Sequence, residues 1–238
     1  MFSSQLHATR ELLPVAGLDR LAEHLPMAWI DQALSATGTA SIRRRRLPAE
    51  QVVWLVIALA LYRHQSLPEV LATLDLALPS ATEQPVSKSA VTQARQRLGA
   101  SPLAYLFDQS ARAWCRQDAE HHAWQGLSLW AMDGTTFRTP DSADNRAHFG
   151  AQAYASGKVA SYPQVRAVSV TAIPTHLVSD IAFGEYGQNE MLYAKTLIDG
   201  IADHSLTVFD RGFLCAEILL GLTMAGEQRH YLIPAKSN

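Results

Sequence analysis

The sequence predicts a two-domain protein of the α+β class, in which an all-helical N-terminal domain precedes an α/β part with a mixed sheet flanked by helices. Two observations lead to this prediction. Residues 1–125 carry helical start signals and helical spacing, whereas residues 126–238 carry short apolar runs typical of strands, and the composition changes near Gln125-Gly126. With 238 residues, 48% of them hydrophobic, the chain is long enough for one large or two modest domains.

The N-terminal domain is predicted to contain a series of helices. Residues 18–34 have apolar side chains at helical spacing, and Pro26 is expected to kink or break this segment. Pro48 and Glu50 begin a helix that is apolar nearly all round as far as Tyr62, so we expect it to form the core of the domain. Further helices are predicted for residues 66–78 and 102–120, with a loop at 79–85.

A short helix at residues 87–99 has one basic or polar face and one apolar face. Ser87 is the predicted N-cap and Gly99 the C-terminal stop. Because it follows other helices, it resembles the second helix of a helix-turn-helix and predicts DNA binding, the alternative being an ordinary polar face. The candidate DNA-binding residues on it are Lys88, Arg95 and Arg97.

Other basic residues are candidates for holding DNA. The net charge is −2, so DNA binding must depend on local patches. The run Arg43, Arg44, Arg45 and Arg46 is a candidate phosphate-binding segment, and a solvated basic loop is an equally open interpretation. Four more cations could line a path for DNA near the acids described below: Arg138, Arg146, Lys158 and Arg166.

Several protein classes are disfavoured. The longest apolar run, 52–62, is too short to cross a bilayer, and the N-terminus has no secretory signal pattern. Two distant cysteines predict a reduced, cytoplasmic protein without a zinc site. His148 and His176 are expected in loop or hairpin positions and not as metal ligands. The tryptophans Trp54, Trp114, Trp124 and Trp130 are expected to anchor the core.

The strands and helices beyond residue 126 follow a recognisable order. Strands are predicted at 127–133, 165–173, 177–183, 206–210 and 231–233, with helices at 188–203 and 214–225. Pro174-Thr175-His176 is the turn of the hairpin between the second and third strands. The order β-β-β-α-β-α-β, with the first strand beside the fourth, is that of a ribonuclease-H-like sheet.

Two of these strands end in an aspartate with glycine close behind, at Asp133-Gly134 and Asp210-Arg211-Gly212. If the two strands are parallel neighbours, both carboxylates project from one edge of the sheet, where α/β sheets bind ligands. Two hard oxygen ligands suit Mg²⁺ or Mn²⁺. Gly134 would allow a ligand or a turn to approach the backbone. A turn-capping role is the alternative for either acid alone.

These motifs resemble the DDE transposases of the insertion-sequence-four group over essentially the whole chain. Asp133-Gly134-Thr135 resembles the first catalytic acid motif of the family, and Asp210-Arg211-Gly212-Phe213 resembles the second. The segments 43–48, 52–55 and 94–99 resemble the N-terminal domain that precedes the catalytic core. The resemblance implies catalytic and metal-binding roles for Asp133 and Asp210, DNA contact by Arg211, and binding of transposon ends as a homodimer or with a full-length transposase.

A third acid of the family, a Glu in a Tyr, Arg, Glu and Lys motif, has no counterpart before Asn238. Among the glutamates beyond residue 126, Glu217 and Glu227 are expected on solvated surfaces. Glu185 and Glu190 are expected in a surface loop, the alternative being an approach to the metal edge of the sheet. The resemblance implies a transposase, which cleaves and joins DNA with a divalent metal in the full-length family, and here residues 126–238 form only a partial ribonuclease-H-like domain. The chain is expected to bind DNA mainly through its N-terminal domain and not to cleave it alone. The alternatives are a non-catalytic protein that interferes with a full-length partner and, less favoured, a free-standing nuclease.

Overall fold

A computed structural model describes residues 16–40, 47–77, 86–119, 121–154 and 157–235. The chain divides into two compact units, Met1–Ser110 and Ala111–Asn238. The predicted domain boundary at residue 125 stays a prediction. The helices of the first unit, the last of which continues into the second, are α1 (Ala16–His24), α2 (Met27–Ala36), α3 (Ala49–Leu61), α4 (Leu67–Ala77), α5 (Lys88–Leu98) and α6 (Ser101–Ala119).

Helix α3 is the centre of the first unit, as its apolar sequence predicts. Val52, Val53 and Leu55 are buried, and α3 packs against α2, α4 and α5. Pro26 separates α1 from α2 and is the N-cap of α2, which confirms the predicted break. Pro48 has the same position before α3.

The second unit is built on one five-stranded sheet. Its elements are β1 (Ser128–Arg138), α7 (Ala143–Phe149), β2 (Gln164–Ala172), β3 (Val178–Glu185), α8 (Glu190–Leu197), β4 (Ser205–Phe209), α9 (Ala216–Met224) and β5 (Arg229–Leu232). The strand order is β3-β2-β1-β4-β5, with β1 antiparallel to β2 and parallel to β4. This arrangement confirms the predicted ribonuclease-H-like fold, a helical region followed by a mixed sheet.

Helices α8 and α9 pack on one face of the sheet and form the core of the second unit with it. Met132 and Phe209 are in register on β1 and β4, and both are buried in this core. Ala194 and Leu197 of α8 join them, and α9 contributes Ile218. Because side chains alternate along a strand, the residue after Met132 and the residue after Phe209 face away from these helices.

Some predicted elements differ from those observed. Strand β1 does not end at Asp133 but continues to Arg138, because antiparallel pairing with β2 extends as far as Arg138 opposite Gln164. The helix predicted at 188–203 is shorter, since α8 ends at Leu197 and a 3₁₀ turn, Ile198–Gly200, follows. Helix α7 has no buried residue and was not predicted, because its sequence has no apolar stripe.

The prediction that four tryptophans anchor the core is correct for two of them and wrong for one. Trp54 and Trp130 are buried, and the indole N–H of Trp130 donates to the hydroxyl of Ser128. Trp124 is 53% exposed, because it precedes the tight turn at Gln125-Gly126 at the start of the sheet unit. Trp114 is half-buried.

Candidate functional site

Asp133 and Asp210 lie side by side on the sheet. Strands β1 and β4 are in parallel register as far as Met132 opposite Phe209, and each aspartate is the next residue. Asp210 keeps an extended backbone, with φ −72° and ψ 159°, so it continues the direction of β4. Neighbouring strands are about 5 Å apart. The two carboxylates therefore project from adjacent positions on the same face, opposite the helices, and both residues are exposed.

A backbone N–H donates a hydrogen bond to each of these carboxylates. The N–H of Gly134 donates to Oδ1 of Asp133 at 2.8 Å, and the N–H of Gly212 donates to Oδ1 of Asp210. Gly212 belongs to the 3₁₀ turn Arg211–Phe213, for which Asp210 is the N-cap. Each carboxylate thus accepts a hydrogen bond at Oδ1 from a backbone N–H one or two residues further along the chain, which orients the whole planar group.

Two carboxylates at adjacent strand positions are candidate ligands for one divalent cation. Carboxylate oxygens are the preferred ligands of Mg²⁺ and Mn²⁺, and Mg²⁺ commonly retains several waters beside one or two carboxylates. Within the described ranges, no three or more His, Cys, Asp or Glu side chains come together as a metal-binding group. The chemistry of the donor set therefore supports a site with two protein ligands.

The four glutamates beyond residue 126 do not form a three-acid group with these aspartates in the described part of the chain. Glu217 pairs with Lys195 at 2.6 Å and is well exposed, and Glu227 is exposed at a turn, as expected. Glu185 ends β3 and is exposed. Glu190 was expected in a surface loop, but it is the first residue of α8, half-buried against Gly134. Since α8 packs on the face opposite Asp133, Glu190 lies across the sheet from the paired aspartates.

Gly134 has a different role from the one predicted. Its φ is not in the left-handed region, so no turn requires a glycine here. A Cβ at this position would lie 2.7 Å from Oε1 of Glu190. The group that approaches the backbone is therefore a side chain of the same protein, and β1 passes through Gly134 without a turn.

The basic residues of the second unit have varied surroundings. The guanidinium of Arg138 stacks on the ring of Tyr162, 4.2 Å from its centroid. Lys158 and Arg211 are exposed, and Arg211 directly follows Asp210. Arg166 is largely covered and faces Glu190. Their predicted contact with DNA stays a prediction.

Arg146 is held by its own loop. It pairs with Asp141 at 2.6 Å and donates to the carbonyl of Ser161. The hydrogen bond from Arg146 keeps the pKa of Asp141 below its usual range, and the same bond raises the pKa of Arg146. Arg146 belongs to α7, and the ends of this helix do have sequence signals. Ser142 is its N-cap, accepting from the N–H of Asn145, and Gly150 ends it. His148 is in the last turn of this helix, and His176 is in the predicted hairpin turn.

In the first unit, α5 has the predicted ends and the predicted buried apolar side, but its cations do not form a single basic face, because Arg95 and Arg97 are two residues apart on a helix. The hydroxyl of Ser87 accepts from the N–H of Ala90, and Gly99 has a φ of +67°, so both predicted ends are confirmed. Val91, Ala94 and Leu98 are buried. The side chains of Lys88, Arg95 and Arg97 are exposed. The predicted phosphate-binding run Arg43 to Arg46 lies outside the described residues.

Comparison with known proteins assigns a family to each part of the chain. A family model described as "Insertion element 4 transposase N-terminal" matches residues 15–108, and one described as "Transposase DDE domain" matches residues 124–238. "Putative transposase InsZ" of Escherichia coli (strain K12) is 35% identical over 228 residues, which are 95% of this chain and 75% of the relative. "Transposase InsG for insertion sequence element IS4" of the same strain is 38% identical over 220 residues, 92% of this chain and 49% of the relative.

Proposed function

Because the chain belongs to the insertion element 4 family of DDE transposases, we propose that Asp133 and Asp210 are the metal-binding acids of its DNA-processing site. Both family matches and both relatives confirm the resemblance inferred from the sequence motifs. The observation that carries the proposal is the parallel register of β1 and β4, which aligns two aspartates that are 77 residues apart in sequence.

The DDE domain implies a divalent metal, and we propose Mg²⁺ or Mn²⁺ at the aspartate pair. A bound divalent cation activates a water or a 3′-hydroxyl and stabilises the leaving oxygen in phosphodiester chemistry. The protein contributes the orientation of its two carboxylates, each held by a glycine N–H at one oxygen. We propose that Arg211, which is exposed and directly follows Asp210, contacts a phosphate of a DNA strand at this edge.

DNA binding follows from membership of the family, and we propose that the exposed basic residues of α5 provide part of it. Lys88, Arg95 and Arg97 lie outside the buried stripe of α5, so they are accessible to phosphates. None of the helices in the described residues is long and apolar enough to span a membrane. The ends of the transposon are the proposed DNA partner, in complex with a second copy or a longer transposase.

The 238-residue polypeptide by itself is proposed to bind DNA without cleaving it. The supporting observation is that, within the described residues, no third His, Cys, Asp or Glu side chain forms a metal-binding group with the two aspartates. Two-metal phosphoryl transfer requires enough carboxylate oxygens to hold two cations at a short, fixed separation. One cation with two protein ligands would retain most of its water and would be poorly placed for the reaction.

The test is a binding and cleavage assay on DNA that carries the ends of the transposon, with Mg²⁺ or Mn²⁺, using the 238-residue chain and its Asp133→Ala and Asp210→Ala variants. We expect all three proteins to bind the DNA and none to cleave it. Mn²⁺ binding, measured by the loss of the free-ion electron paramagnetic resonance signal, should be present in the unmodified chain and lost in both variants.

The outcomes separate the two parts of the proposal. Cleavage by the unmodified chain but not by the variants would disprove the non-cleaving state and support the aspartate pair. Mn²⁺ binding that is unchanged in both variants would disprove the pair as the metal site. Absence of binding to any DNA would disprove the role of this polypeptide as a DNA-binding protein.

A further inference from the structure

The carboxylate of Glu190 occupies the space where residue 134 would carry a side chain. A Cβ on Gly134 would lie 2.7 and 3.2 Å from the two carboxylate oxygens of Glu190 and 2.8 Å from the carboxyl carbon. A Cβ at residue 134 would therefore push the Glu190 carboxylate, the end of a flexible side chain, out of this position, so the packing seen here depends on glycine. The start of α8 is thereby seated on the backbone of β1, at the residue that directly follows Asp133.

Gly134 therefore contacts two acidic side chains, Asp133 through its N–H and Glu190 through its Cα. Its N–H donates to Oδ1 of Asp133 at 2.8 Å, and its Cα lies beneath the carboxylate of Glu190 on the opposite face of the sheet. A displacement of Gly134 would turn the N–H that orients the Asp133 carboxylate. The position of Glu190 is in this way linked to the orientation of a candidate metal ligand.

Arg166 holds the Glu190 side chain from the neighbouring strand. It lies opposite Thr136 on β2, two residues beyond Gly134 on the same face, and its Nη1 is 3.8 Å from Oε1 of Glu190. Its guanidinium stacks on Tyr186, 4.8 Å from the ring centroid. The side chain of Arg166 is only 22% exposed and that of Glu190 38% exposed. The pair is at ion-pair distance, and its partial burial reduces the screening of the two charges by solvent ions.

Tyr193, in the first turn of α8, makes a second close approach to a glycine, Gly184 of β3. The hydroxyl of Tyr193 donates to the carbonyl of Glu185, and a Cβ on Gly184 would lie 2.6 Å from that hydroxyl oxygen. Gly184 is opposite Arg166 in the β2–β3 register. Desolvation is the main cause that raises the pKa of Tyr193, so its phenol remains protonated and able to donate. The helix is thus fixed over the sheet at two points, Gly134 and Gly184.

We propose that Glu190 and Arg166 are positioning residues for Asp133, acting through the backbone of Gly134. This inference rests on the proposed metal-binding role of Asp133 and Asp210. Glu190 does not bind the metal itself, because it lies on the opposite face and belongs to no metal-binding group among the described residues. Outer partners of metal ligands commonly affect metal affinity by about 10- to 100-fold, and the pair is expected to act at the lower end of that range.

The first experiment measures Mn²⁺ affinity in the 238-residue chain. Glu190→Ala and Arg166→Ala should each weaken Mn²⁺ binding by roughly tenfold, and the double variant should be little worse than either, because the two residues act as a unit. Arg166→Lys and Glu190→Gln should retain part of the affinity. Gly134→Ala should match Glu190→Ala, since the added methyl group displaces the carboxylate.

The second experiment does not require metal. Amide hydrogen exchange at Gly134, followed by nuclear magnetic resonance, should accelerate several-fold in Glu190→Ala, because the N–H loses its fixed position. The matched control is Glu217→Ala, which removes the ion pair between Lys195 of α8 and Glu217 of α9 without touching Gly134. The control should leave both the exchange rate of Gly134 and the Mn²⁺ affinity unchanged.

Each outcome has a distinct meaning. If Asp133→Asn abolishes Mn²⁺ binding while Glu190→Ala and Arg166→Ala bind as the unmodified chain does, the positioning role is disproved and the metal site stands. If Asp133→Asn has no effect on Mn²⁺ binding, the metal site is disproved. If, in addition, the exchange rate of the Gly134 amide is the same in Glu190→Ala as in the unmodified chain, the link between Glu190 and the backbone of Gly134 is disproved as well. Circular dichroism and thermal unfolding confirm that each variant is folded before its affinity is compared.

Discussion

The helical first unit and the sheet-based second unit place their candidate functional residues in different ways. In the first unit, Lys88, Arg95 and Arg97 belong to one helix, so their exposure outside its buried stripe follows from the local helical period. In the second unit, Asp133 and Asp210 are adjacent only because β1 and β4 pair. The separate cations of α5 should therefore lose function in small, additive steps when they are replaced, whereas the aspartate pair should lose it abruptly when the sheet is disturbed.

The largest effect that tests this contrast is expected from Phe209→Ala. Phe209 is buried beside Met132, immediately before Asp210, and its removal should destabilise the second unit by about 3–5 kcal/mol. Urea unfolding measures the loss, and Mn²⁺ binding should fall with it. The matched change in the first unit is Leu55→Ala, a fully buried residue of α3, which should leave Mn²⁺ binding intact. Loss of Mn²⁺ binding in Leu55→Ala would contradict the separation of the two sites.

The next-largest effect is expected from the exposed basic residues of α5. Replacing Lys88, Arg95 and Arg97 by Ala, one at a time and together, should weaken DNA binding and lower the salt slope by about one for each phosphate that the protein no longer neutralises. Fluorescence anisotropy at several salt concentrations measures both quantities. Arg20→Ala, an exposed arginine of α1, is the control. An unchanged slope in the triple variant would remove α5 from the DNA-binding surface.

A smaller effect is expected from Ser87→Ala. The Ser87 hydroxyl accepts the N–H of Ala90 at 3.2 Å and is the N-cap of α5. Its removal should cost about 1 kcal/mol of stability, as for other N-caps, and weaken DNA binding in proportion to the unfolding of α5. Thermal unfolding measures the loss of stability. Ser87→Asp, which restores a capping oxygen, should recover the stability of the unmodified protein; failure to do so would show that the cap does not stabilise α5.

The smallest expected effect is a change in how the folding stability depends on acid pH when Asp203, just before β4, is replaced. A hydrogen bond from Arg229, and then one from the N–H of Glu227, lower the pKa of Asp203. Because the folded-state pKa is depressed, the stabilisation is present above the unfolded pKa of about 3.9 and is lost as the pH falls through the lower, folded value. Asp203→Asn should therefore reduce stability slightly at neutral pH and flatten its decline in acid. Unfolding curves between about pH 7 and pH 3 test this, and an equal decline in both proteins would contradict it.

Local chemistry accounts for the elements that the sequence predicted well. Pro26, Pro48, Ser87 and Gly99 each fix the backbone or satisfy its end groups wherever they occur, so the ends of α2, α3 and α5 could be located without a structure. The strand order was also predictable, because alternating apolar runs and helices allow few topologies. The two aspartates were found because each follows an apolar strand directly.

The length of β1 and the surroundings of Glu190 could not be predicted in the same way. Whether β1 ends at Asp133 depends on how far β2 continues to pair with it, and that pairing involves residues far along the chain, such as Gln164 opposite Arg138. A glutamate at the start of a helix is ordinarily solvated. Only the packing of α8 on the sheet brings Glu190 over Gly134.

By itself, then, the sequence determined the helical first unit, the ribonuclease-H-like order of the strands, the family and the two candidate acids. These depend on periodicity, end signals and short motifs, which are properties of neighbouring residues. The tertiary structure decided that Asp133 and Asp210 share one face and that Glu190 and Arg166 meet on the other. These arrangements depend on strand register, because a shift of one residue in β1 would move every side chain of that strand to the opposite face.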